Sequence, residues 1–183
     1  MIDPASCLVV VRGGGDLGSG VIWRLRRVGF PVVVLELERP LTVRRTVAYS
    51  SAVTDGAITI DGIEGVRVDS ADSAIRAAQA RSVAVMVAPE LPSFPMPVSA
   101  LVDARLAKQK LDTKRGQAPF VVALGPGFDA GVDCDVVVET MRGHRLGRVI
   151  WDGPAATNTG VPGEIGGAST ERVLRAARDG SLR

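Results

Sequence analysis

Cysteine, histidine and aromatic residues are all scarce in this chain. Its 183 residues include two cysteines, one histidine and 4% aromatic residues. Cys7 and Cys134 match neither a zinc-ligand spacing nor a disulfide framework, so we expect no metal site. The few aromatic residues offer no stacking platform for single-stranded nucleic acid, and a net charge of +2 is small for a protein that binds phosphate backbones. We therefore expect no nucleic acid partner.

Long hydrophobic runs are lacking as well. No apolar segment approaches the length of a membrane span, and the first residues do not have the pattern of a signal peptide. We expect a cytoplasmic protein without a membrane partner. The composition, with 46% hydrophobic and 23% charged residues, is typical of a globular protein, and the length suits one α/β domain.

Glycine, in contrast, is abundant, and its first cluster lies among predicted strands and a helix. Residues 13–18 read GGGDLG, which satisfies the pattern G-x-G-x-x-G. An apolar run at residues 8–11 predicts a buried strand before the cluster, and residues 21–28 have the periodicity of a helix. A second predicted strand, residues 31–35, is followed by Glu36. These elements have the order found at the start of a dinucleotide-binding domain.

The cluster therefore predicts a phosphate-binding turn. Its glycines permit a tight turn and a close approach of the backbone to phosphate, while the helix N-terminus faces the anion. An acid about 20 residues further on binds a ribose hydroxyl in such domains. A purely structural turn, in which backbone packs on backbone, is the alternative. The predicted ligand contacts are Gly13, Gly14, Gly15, Asp16, Gly18 and Glu36.

Basic residues follow the second predicted strand. Arg39, Arg44 and Arg45 occupy the region in which enzymes that use NADP place cations for the 2′-phosphate. Guanidinium groups there suit any phosphate or carboxylate, and we include Arg44 and Arg45 among the candidate contacts. A solvent-exposed basic surface, or ion pairs with Glu36 and Glu38, explains the same residues equally well.

The rest of the chain predicts an α/β, Rossmann-like, mostly parallel sheet with helices on both faces and a small β-hairpin insertion. We expect a single domain over residues 1–183, with the nucleotide-binding start at residues 1–56. The predicted elements are a hairpin at 57–68, helices at 70–80 and 98–111, strands at 83–87, 120–124, 135–139 and 149–151, and a long Gly-rich loop with a last helix at 152–183.

Two later stretches add candidate contacts. Gly125 and Gly127 follow a predicted strand directly, at the sheet edge where α/β proteins bind ligands, although a tight turn without a ligand is an equal alternative. Residues 139–148 hold the only histidine and three arginines among glycines, which is typical of an anion-binding loop. A surface histidine is the alternative there. The candidate contacts in this loop are Arg142, Gly143, His144 and Arg145.

Five motifs in one order give the chain a resemblance to a known family. They are VVVRGGGDLGSG at 9–20, VRRTV at 43–47, ALGPGF at 123–128, ETMRGHRLGRVI at 139–150 and NTGVPGEIGG at 158–167. With them the chain resembles the YqeB-type accessory proteins of selenium-dependent molybdenum hydroxylases, which are related to the Rossmann half of xanthine dehydrogenase accessory factors. The resemblance implies a role in maturing or inserting the molybdenum cofactor, with a molybdenum hydroxylase as client.

Members similar to this chain often continue into a small lipoyl-like β domain near residue 171. Since the sequence stops at Arg183, we expect that domain to be absent here, and the chain to be a short form or a fragment.

Three functions remain open at this point. The first is a nucleotide-binding accessory protein, whose ligand is a nucleotide or dinucleotide such as NAD(P) or the dinucleotide form of the molybdenum cofactor. The second is an NAD(P)-dependent oxidoreductase, although no acid/base pair stands out and no catalytic residue can be assigned. The third is a non-catalytic ligand-binding scaffold. A homo-oligomer is compatible with all three.

Overall fold

The computed structural model describes residues 3–161 and 163–172 and is built on one nine-stranded sheet. The strands are β1 (Leu8–Arg12), β2 (Val32–Glu36), β3 (Ala57–Ile60), β4 (Ile63–Val68), β5 (Val83–Val87), β6 (Val98–Asp103), β7 (Val121–Leu124), β9 (Val136–Val138) and β10 (Val149–Ile150). Two further short strands, β8 (Asp129–Ala130) and β11 (Gly153–Pro154), form a separate antiparallel pair. The helices are α1 (Asp16–Val28), α2 (Ala52–Asp55) and α3 (Ala71–Gln79).

The strand order is β10-β9-β7-β6-β1-β2-β5-β4-β3. Six neighbouring strands of this sheet are mutually parallel, and they lie in the order β5-β2-β1-β6-β7-β9. Numbered by their sequence in the chain, they have the order 3-2-1-4-5-6, which is that of a doubly wound fold. The predicted α/β class with a mostly parallel sheet is therefore confirmed. The predicted hairpin is confirmed too, as β3 and β4, and it extends one edge of the sheet because β4 pairs in parallel with β5.

Both faces of the sheet are covered, because its central strands are buried on both sides. Along β1, Leu8 and Val10 pack on the face that carries α3, whereas Val9 and Val11 pack on the face that carries α1 and α2. Successive apolar residues of a strand point to opposite faces, so an unbroken run such as LVVV serves two layers at once. Helices on both faces were predicted, and the structure confirms them.

Among the described residues, loops and not helices cover the second half of the sheet. Residues 88–97 connect β5 to β6, and they place Leu91, Phe94 and Met96 against the core on the α3 face. Four prolines in this stretch suit an extended covering segment, because proline disrupts a helix. No described helix is long and apolar enough to cross a membrane.

The helix predicted at residues 98–111 is wrong. Its first half is β6, which is hydrogen-bonded between β1 and β7, and its second half is a loop. The apolar residues Ala100, Leu101 and Val102 are consecutive, as in a strand buried on both faces, and pairing on two sides outweighs a weak helical periodicity.

Other predicted elements agree with the structure where it describes them. α3 begins after Ser70, whose side chain forms a capping box with Ser73, and the predicted strand at residues 83–87 is β5. The described part of the Gly-rich stretch from residue 152 contains β11, an isolated bridge between Ile165 and Ala168, and a 3₁₀ turn, Thr170–Arg172. Most of the predicted last helix, residues 173–183, lies outside the described residues.

Two glycines of α1 differ in what surrounds them. A Cβ at Gly18 would overlap the carbonyl oxygen of Gly13, whereas a Cβ at Gly20 would meet no atom within 4 Å. Gly18 therefore lets the helix start lie against the turn that precedes it.

We expect Gly18→Ala to lower the free energy of unfolding by about 1–3 kcal/mol, because the turn must move to admit the methyl group. Gly20→Ala is the matched control in the same helix, and it should raise stability by roughly 0.5–1 kcal/mol, the usual gain in a helix interior. Urea unfolding of both variants measures the difference. Equal effects of the two substitutions would show that Gly18 has no packing role.

Candidate functional site

A pocket lies at the carboxyl ends of β1, β2, β5 and β6. The order of the strands reverses between β1 and β6, and open α/β sheets bind ligands in the crevice at such a reversal. The cavity has a volume of about 660 Å³, within the usual range for small-molecule sites. Charged residues and leucines both line it, among them Arg12, Asp16, Glu36, Arg44, Leu37 and Leu41. We call it the switch-point pocket.

Three of the predicted glycines are closely packed by the protein around them. Gly13 has a φ of +94°, and a Cβ there would lie 3.0 Å from the carbonyl oxygen of Ala104. A Cβ at Gly14 would lie 3.0 Å from the backbone nitrogen of Ser50. At Gly18 a Cβ would overlap the carbonyl oxygen of Gly13, as described above. A structural turn is thus a sufficient explanation for these three positions.

Gly15 is different. Its φ of −63° is open to any residue, and a Cβ at this position would meet nothing within 4 Å. It is the N-cap of the 13-residue helix α1, makes no side-chain cap and lines the pocket. The backbone N–H groups of a helix start and the helix dipole both favour an anion. The absence of a side chain leaves room for such a group to approach.

Glu36 ties the end of β2 to the glycine turn. Its Oε1 accepts a hydrogen bond from the Gly14 N–H at 2.6 Å, and its Oε2 accepts one from the Leu37 N–H at 2.9 Å. These bonds hold the carboxylate at the wall of the pocket. Each oxygen keeps a free lone pair, which a ligand hydroxyl can use. Glu36 therefore lies at the wall of the pocket, and its contact with a ribose stays a prediction.

The two arginines predicted after β2 have different surroundings. The Arg44 guanidinium lies 3.0 Å from the Asp16 carboxylate, and both residues line the pocket. Arg45 instead contacts Thr54 at 2.5 Å and Asp55 at 3.4 Å, and it is not among the residues that line the pocket. The pairing with Arg44 offsets the charge that Asp16 brings to the first turn of α1.

The second glycine turn is tightly packed. Gly125 and Gly127 have φ values of +75° and +114°, and a Cβ at Gly125 would lie 2.6 Å from Thr140 Oγ1. A Cβ at Gly127 would lie 2.6 Å from the backbone of Gln109. Gly127 therefore packs directly against the backbone of the loop after β6. Neither glycine lines the switch-point pocket.

The predicted anion loop is an exposed turn after β9. The Glu139 N–H donates to the Arg148 carbonyl at 2.9 Å, and the Gly147 N–H donates to the Glu139 carbonyl at 2.8 Å. Within the described residues, the side chains of Arg142, His144 and Arg145 have no hydrogen-bond or ion-pair partner. Neither these three residues nor Gly143 lines the switch-point pocket.

Glu139 anchors that turn from below. Its buried carboxylate accepts the N–H groups of Met141 and Ala156, each at 2.8 Å. Burial raises the pKa of this carboxyl, but the backbone N–H groups around it outweigh burial and hold the pKa below its usual value. The turn is thereby joined to the Gly-rich stretch that contains Ala156.

Sequence reasoning missed a charged cluster at the base of the pocket. Arg12 is 2% exposed, and its guanidinium donates to Thr113 Oγ1 at 2.8 Å and to Asp112 at 2.5 Å. Arg105 lies 2.5 Å from Asp103 and 2.7 Å from Asp112. The Thr113 hydroxyl completes the cluster by donating to Asp103 at 2.6 Å. We call these five residues the paired-arginine cluster.

A signal for this cluster was present in the sequence. Arg12 and Asp103 each end a run of apolar residues, which places a charge at the carboxyl end of a strand. Because a helix was predicted at residues 98–111, Asp103 was not recognised as the end of a strand. Among the described residues, no group of three or more His, Cys, Asp or Glu side chains is placed to hold a metal ion.

The paired-arginine cluster fastens the loop after β6 over the pocket. That loop contains Leu106 and Lys108 at φ values of +53° and +60°, a left-handed conformation that disfavours side chains. Burial raises the pKa of Asp112, but the hydrogen bonds from Arg105 and Arg12 outweigh it and lower the pKa to about 2. Asp112 therefore stabilises the fold above its unfolded-state pKa, and this contribution is lost as the pH falls towards 2.

We expect Asp112→Asn to lower the free energy of unfolding by roughly 1 kcal/mol at pH 7, a modest value because half of the side chain is exposed. The difference from the wild type should shrink as the pH falls from 4 to 2, where the wild-type carboxyl takes up a proton. Urea unfolding at several pH values measures both effects. Asp69→Asn, in an exposed ion pair, is the control and should change stability by less than about 0.5 kcal/mol. A pH-independent difference at Asp112 would contradict the assignment.

Comparison with known proteins identifies one relative of almost the whole chain. The chain is 47% identical over 177 residues to the protein named "Uncharacterized protein YqeB" of Escherichia coli (strain K12), and the match covers 96% of this chain. It covers 33% of that protein, so the chain spans about a third of the length of this relative. No family model matches the chain. No solved structure matches it either. The chain is therefore a homologue of about one third of the YqeB protein of Escherichia coli.

Proposed function

We propose that this chain is a nucleotide-binding accessory protein that holds its ligand in the switch-point pocket. Its proposed role is the maturation or insertion of the molybdenum cofactor in a selenium-dependent molybdenum hydroxylase. The phosphate groups of the ligand lie at the first turn of α1, and a ribose hydroxyl donates to Glu36. The observation that carries the proposal is the open position at Gly15.

Gly15 supports a ligand site because it combines an open Cβ position with a place at the helix start that lines the pocket. Serine, threonine, aspartate or asparagine at this N-cap would add a side-chain hydrogen bond to the helix, worth roughly a few tenths of a kcal/mol over glycine. Space for such a side chain exists, since no atom lies within 4 Å of the Cβ position. A glycine leaves room for a phosphate beside the helix start, where the Leu17 N–H donates to Asp16 Oδ1 at 3.0 Å in the free protein.

The charges of the pocket favour a particular kind of phosphate. Arg12 and Arg105 are matched by the two aspartates of the paired-arginine cluster, and Arg44 is matched by Asp16. Since Glu36 then adds a negative charge, the pocket has no surplus of cations. A pyrophosphate diester, with one charge on each phosphate, suits this environment better than a phosphate monoester. A dinucleotide is the ligand class that fits.

The molybdenum role is supported by the five sequence motifs. The relative is itself described as uncharacterised, so the client enzyme and the form of the cofactor are parts of the proposal. Arg142, His144 and Arg145 are assigned to the anionic far end of the ligand. Their support is their position: the turn follows the carboxyl end of β9, which is the sheet edge that also carries the switch-point pocket.

An NAD-dependent oxidoreductase is the second candidate, and the position of Glu36 favours it. A carboxylate at the end of β2 accepts from a ribose 2′-hydroxyl and repels a 2′-phosphate, so NAD fits better than NADP. Against catalysis, every acid among the described pocket residues is held by an arginine or by backbone N–H groups. A non-catalytic scaffold has the same pocket and differs only in having no reaction.

A thermal-shift panel tests the pocket. It includes NAD, NADP, flavin, adenine and cytidine nucleotides, and the forms of the molybdenum cofactor. A ligand at about a hundred times its dissociation constant stabilises the fold by roughly 2.7 kcal/mol, a shift of several degrees. We expect the cytidine dinucleotide form of the molybdenum cofactor to stabilise the wild type, and Gly15→Asp to abolish the shift by filling the helix start with negative charge.

Gly20→Asp is the control, since it adds the same charge on the exposed side of α1 and should keep the full shift. Stabilisation by NAD alone would favour the oxidoreductase over the accessory role. An equal shift in Gly15→Asp and wild type would overturn the proposed pocket.

Alanine substitutions test the anion loop separately. We expect Arg142→Ala and Arg145→Ala each to weaken binding of the molybdenum cofactor form about tenfold, the loss of one charge-assisted hydrogen bond. Both side chains are exposed, so the melting temperature of the free protein should not change. Arg24→Ala, a surface arginine on α1, is the control for net charge. Unchanged affinity by calorimetry would remove the loop from the site and leave the Gly15 assignment intact.

A further inference from the structure

A second cavity lies at the opposite edge of the sheet. It has a volume of about 510 Å³ and borders the segments that precede β1, β2 and β5. The carboxyl ends of α1 and α3 also reach it. Its charged lining consists of Asp3, Arg26, Arg27 and Arg81. We call it the basal cavity.

The two helices end at this cavity with the same backbone motif. In α1 the Gly29 N–H donates to the Arg26 carbonyl, and the Phe30 N–H donates to the Leu25 carbonyl. In α3 the corresponding bonds run from Arg81 to Ala78 and from Ser82 to Ala77. This is the Schellman motif, which requires a left-handed residue at the helix end.

The left-handed position holds glycine in one helix and arginine in the other. Gly29 has a φ of +108°, the usual solution, whereas Arg81 has a φ of +72°. A left-handed conformation is unfavourable for a residue with a Cβ, so Arg81 is a local source of strain. The backbone hydrogen bonds of the motif keep Arg81 in this conformation at the border of the basal cavity.

Arg26 is buried there without a carboxylate. It is 8% exposed, and no acceptor among the described residues lies within hydrogen-bond distance of its Nε. Its one described side-chain hydrogen bond runs to the Phe30 carbonyl. Burial lowers the pKa of Arg26, and the positive charge of Arg81 lowers it further. The other buried arginine, Arg12, has an aspartate partner, so Arg26 is an exception within the described chain.

Helix ends do not balance the charge of the basal cavity. Each helix C-terminus carries about −0.5 charge, and Asp3 adds one more negative charge. The three positive charges of the guanidinium groups exceed this negative charge. The Arg27 guanidinium also lies 4.8 Å from the ring centre of Trp23, but this contact adds no negative charge. Among the described residues, none of the three arginines forms an ion pair. An external anion would supply the missing charge.

We propose that the basal cavity binds a multivalent oxyanion on the guanidinium groups of Arg26, Arg27 and Arg81. Two chemical sources fit, an organic pyrophosphate and a polycarboxylate, because guanidinium groups bind both through paired N–H···O bonds. The site is separate from the switch-point pocket and does not depend on the proposed nucleotide.

Calorimetric titration of inorganic pyrophosphate and of citrate tests the site. Arg81→Gly is the informative variant, since it removes the guanidinium and relieves the strained backbone. We expect it to bind the preferred anion about tenfold more weakly, the loss of one charged contact, while its melting temperature stays equal or rises. Arg76→Ala removes the same charge from the exposed side of α3 and should bind like the wild type.

The same titrations in Gly15→Asp separate the two sites. Binding that depends on Arg81 should persist in this variant, whatever happens at the switch-point pocket. Tighter binding of pyrophosphate assigns the site to phosphates, and tighter binding of citrate assigns it to polycarboxylates. The proposal is overturned if neither anion binds at 10 mM, if Arg81→Gly binds like the wild type, or if Gly15→Asp abolishes the binding.

Discussion

The site depends on the close approach of the glycine turn to the end of β6. The Ala104 N–H donates to the Arg12 carbonyl at 2.8 Å, and the Gly13 N–H donates to the Leu35 carbonyl at 2.9 Å. The turn is thus bonded to the strands on both sides of β1 before it enters α1. Backbone can be held this tightly only where no Cβ intervenes, which explains the glycine at position 13. The crevice between β1 and β6 owes its shape to this contact.

The replacement of helices by loops in the second half of the sheet has a direct effect on the pocket. A helix after β6 would be positioned by its apolar face, as α3 is after β4. The loop after β6 places Leu106 against the core, and it also contains two left-handed residues. Ion pairs from Asp103 and Asp112 to Arg105 and Arg12 supply further attachment. The cluster is therefore the counterpart of helix packing in this part of the fold.

The first half of the fold could be predicted because its signals are local. Gly13 to Gly18, the strands on either side and Glu36 all lie within about 30 residues, and the structure places them as expected. The helix predicted at residues 98–111 failed because a strand between two partners is defined by residues far away in sequence. The contacts of Arg12 with Asp112 and Thr113 span about 100 residues, and no spacing rule anticipates such pairs. The exposed loop with His144 was located by composition, but composition does not indicate what the loop contacts.

The open position at Gly15 has a consequence for how this turn can evolve. A side chain at Gly13 strains the backbone and one at Gly18 displaces the turn, so selection on folding favours glycine at both positions. A side chain at position 15 meets no protein atom within 4 Å of its Cβ, so folding places no such demand on this position. If the turn holds the proposed ligand, a lineage that abandons that ligand is free to fill this one position while the neighbouring glycines stay unchanged. A serine or aspartate at position 15 of a homologue would then mark the loss of the proposed ligand in a protein that still folds in the same way.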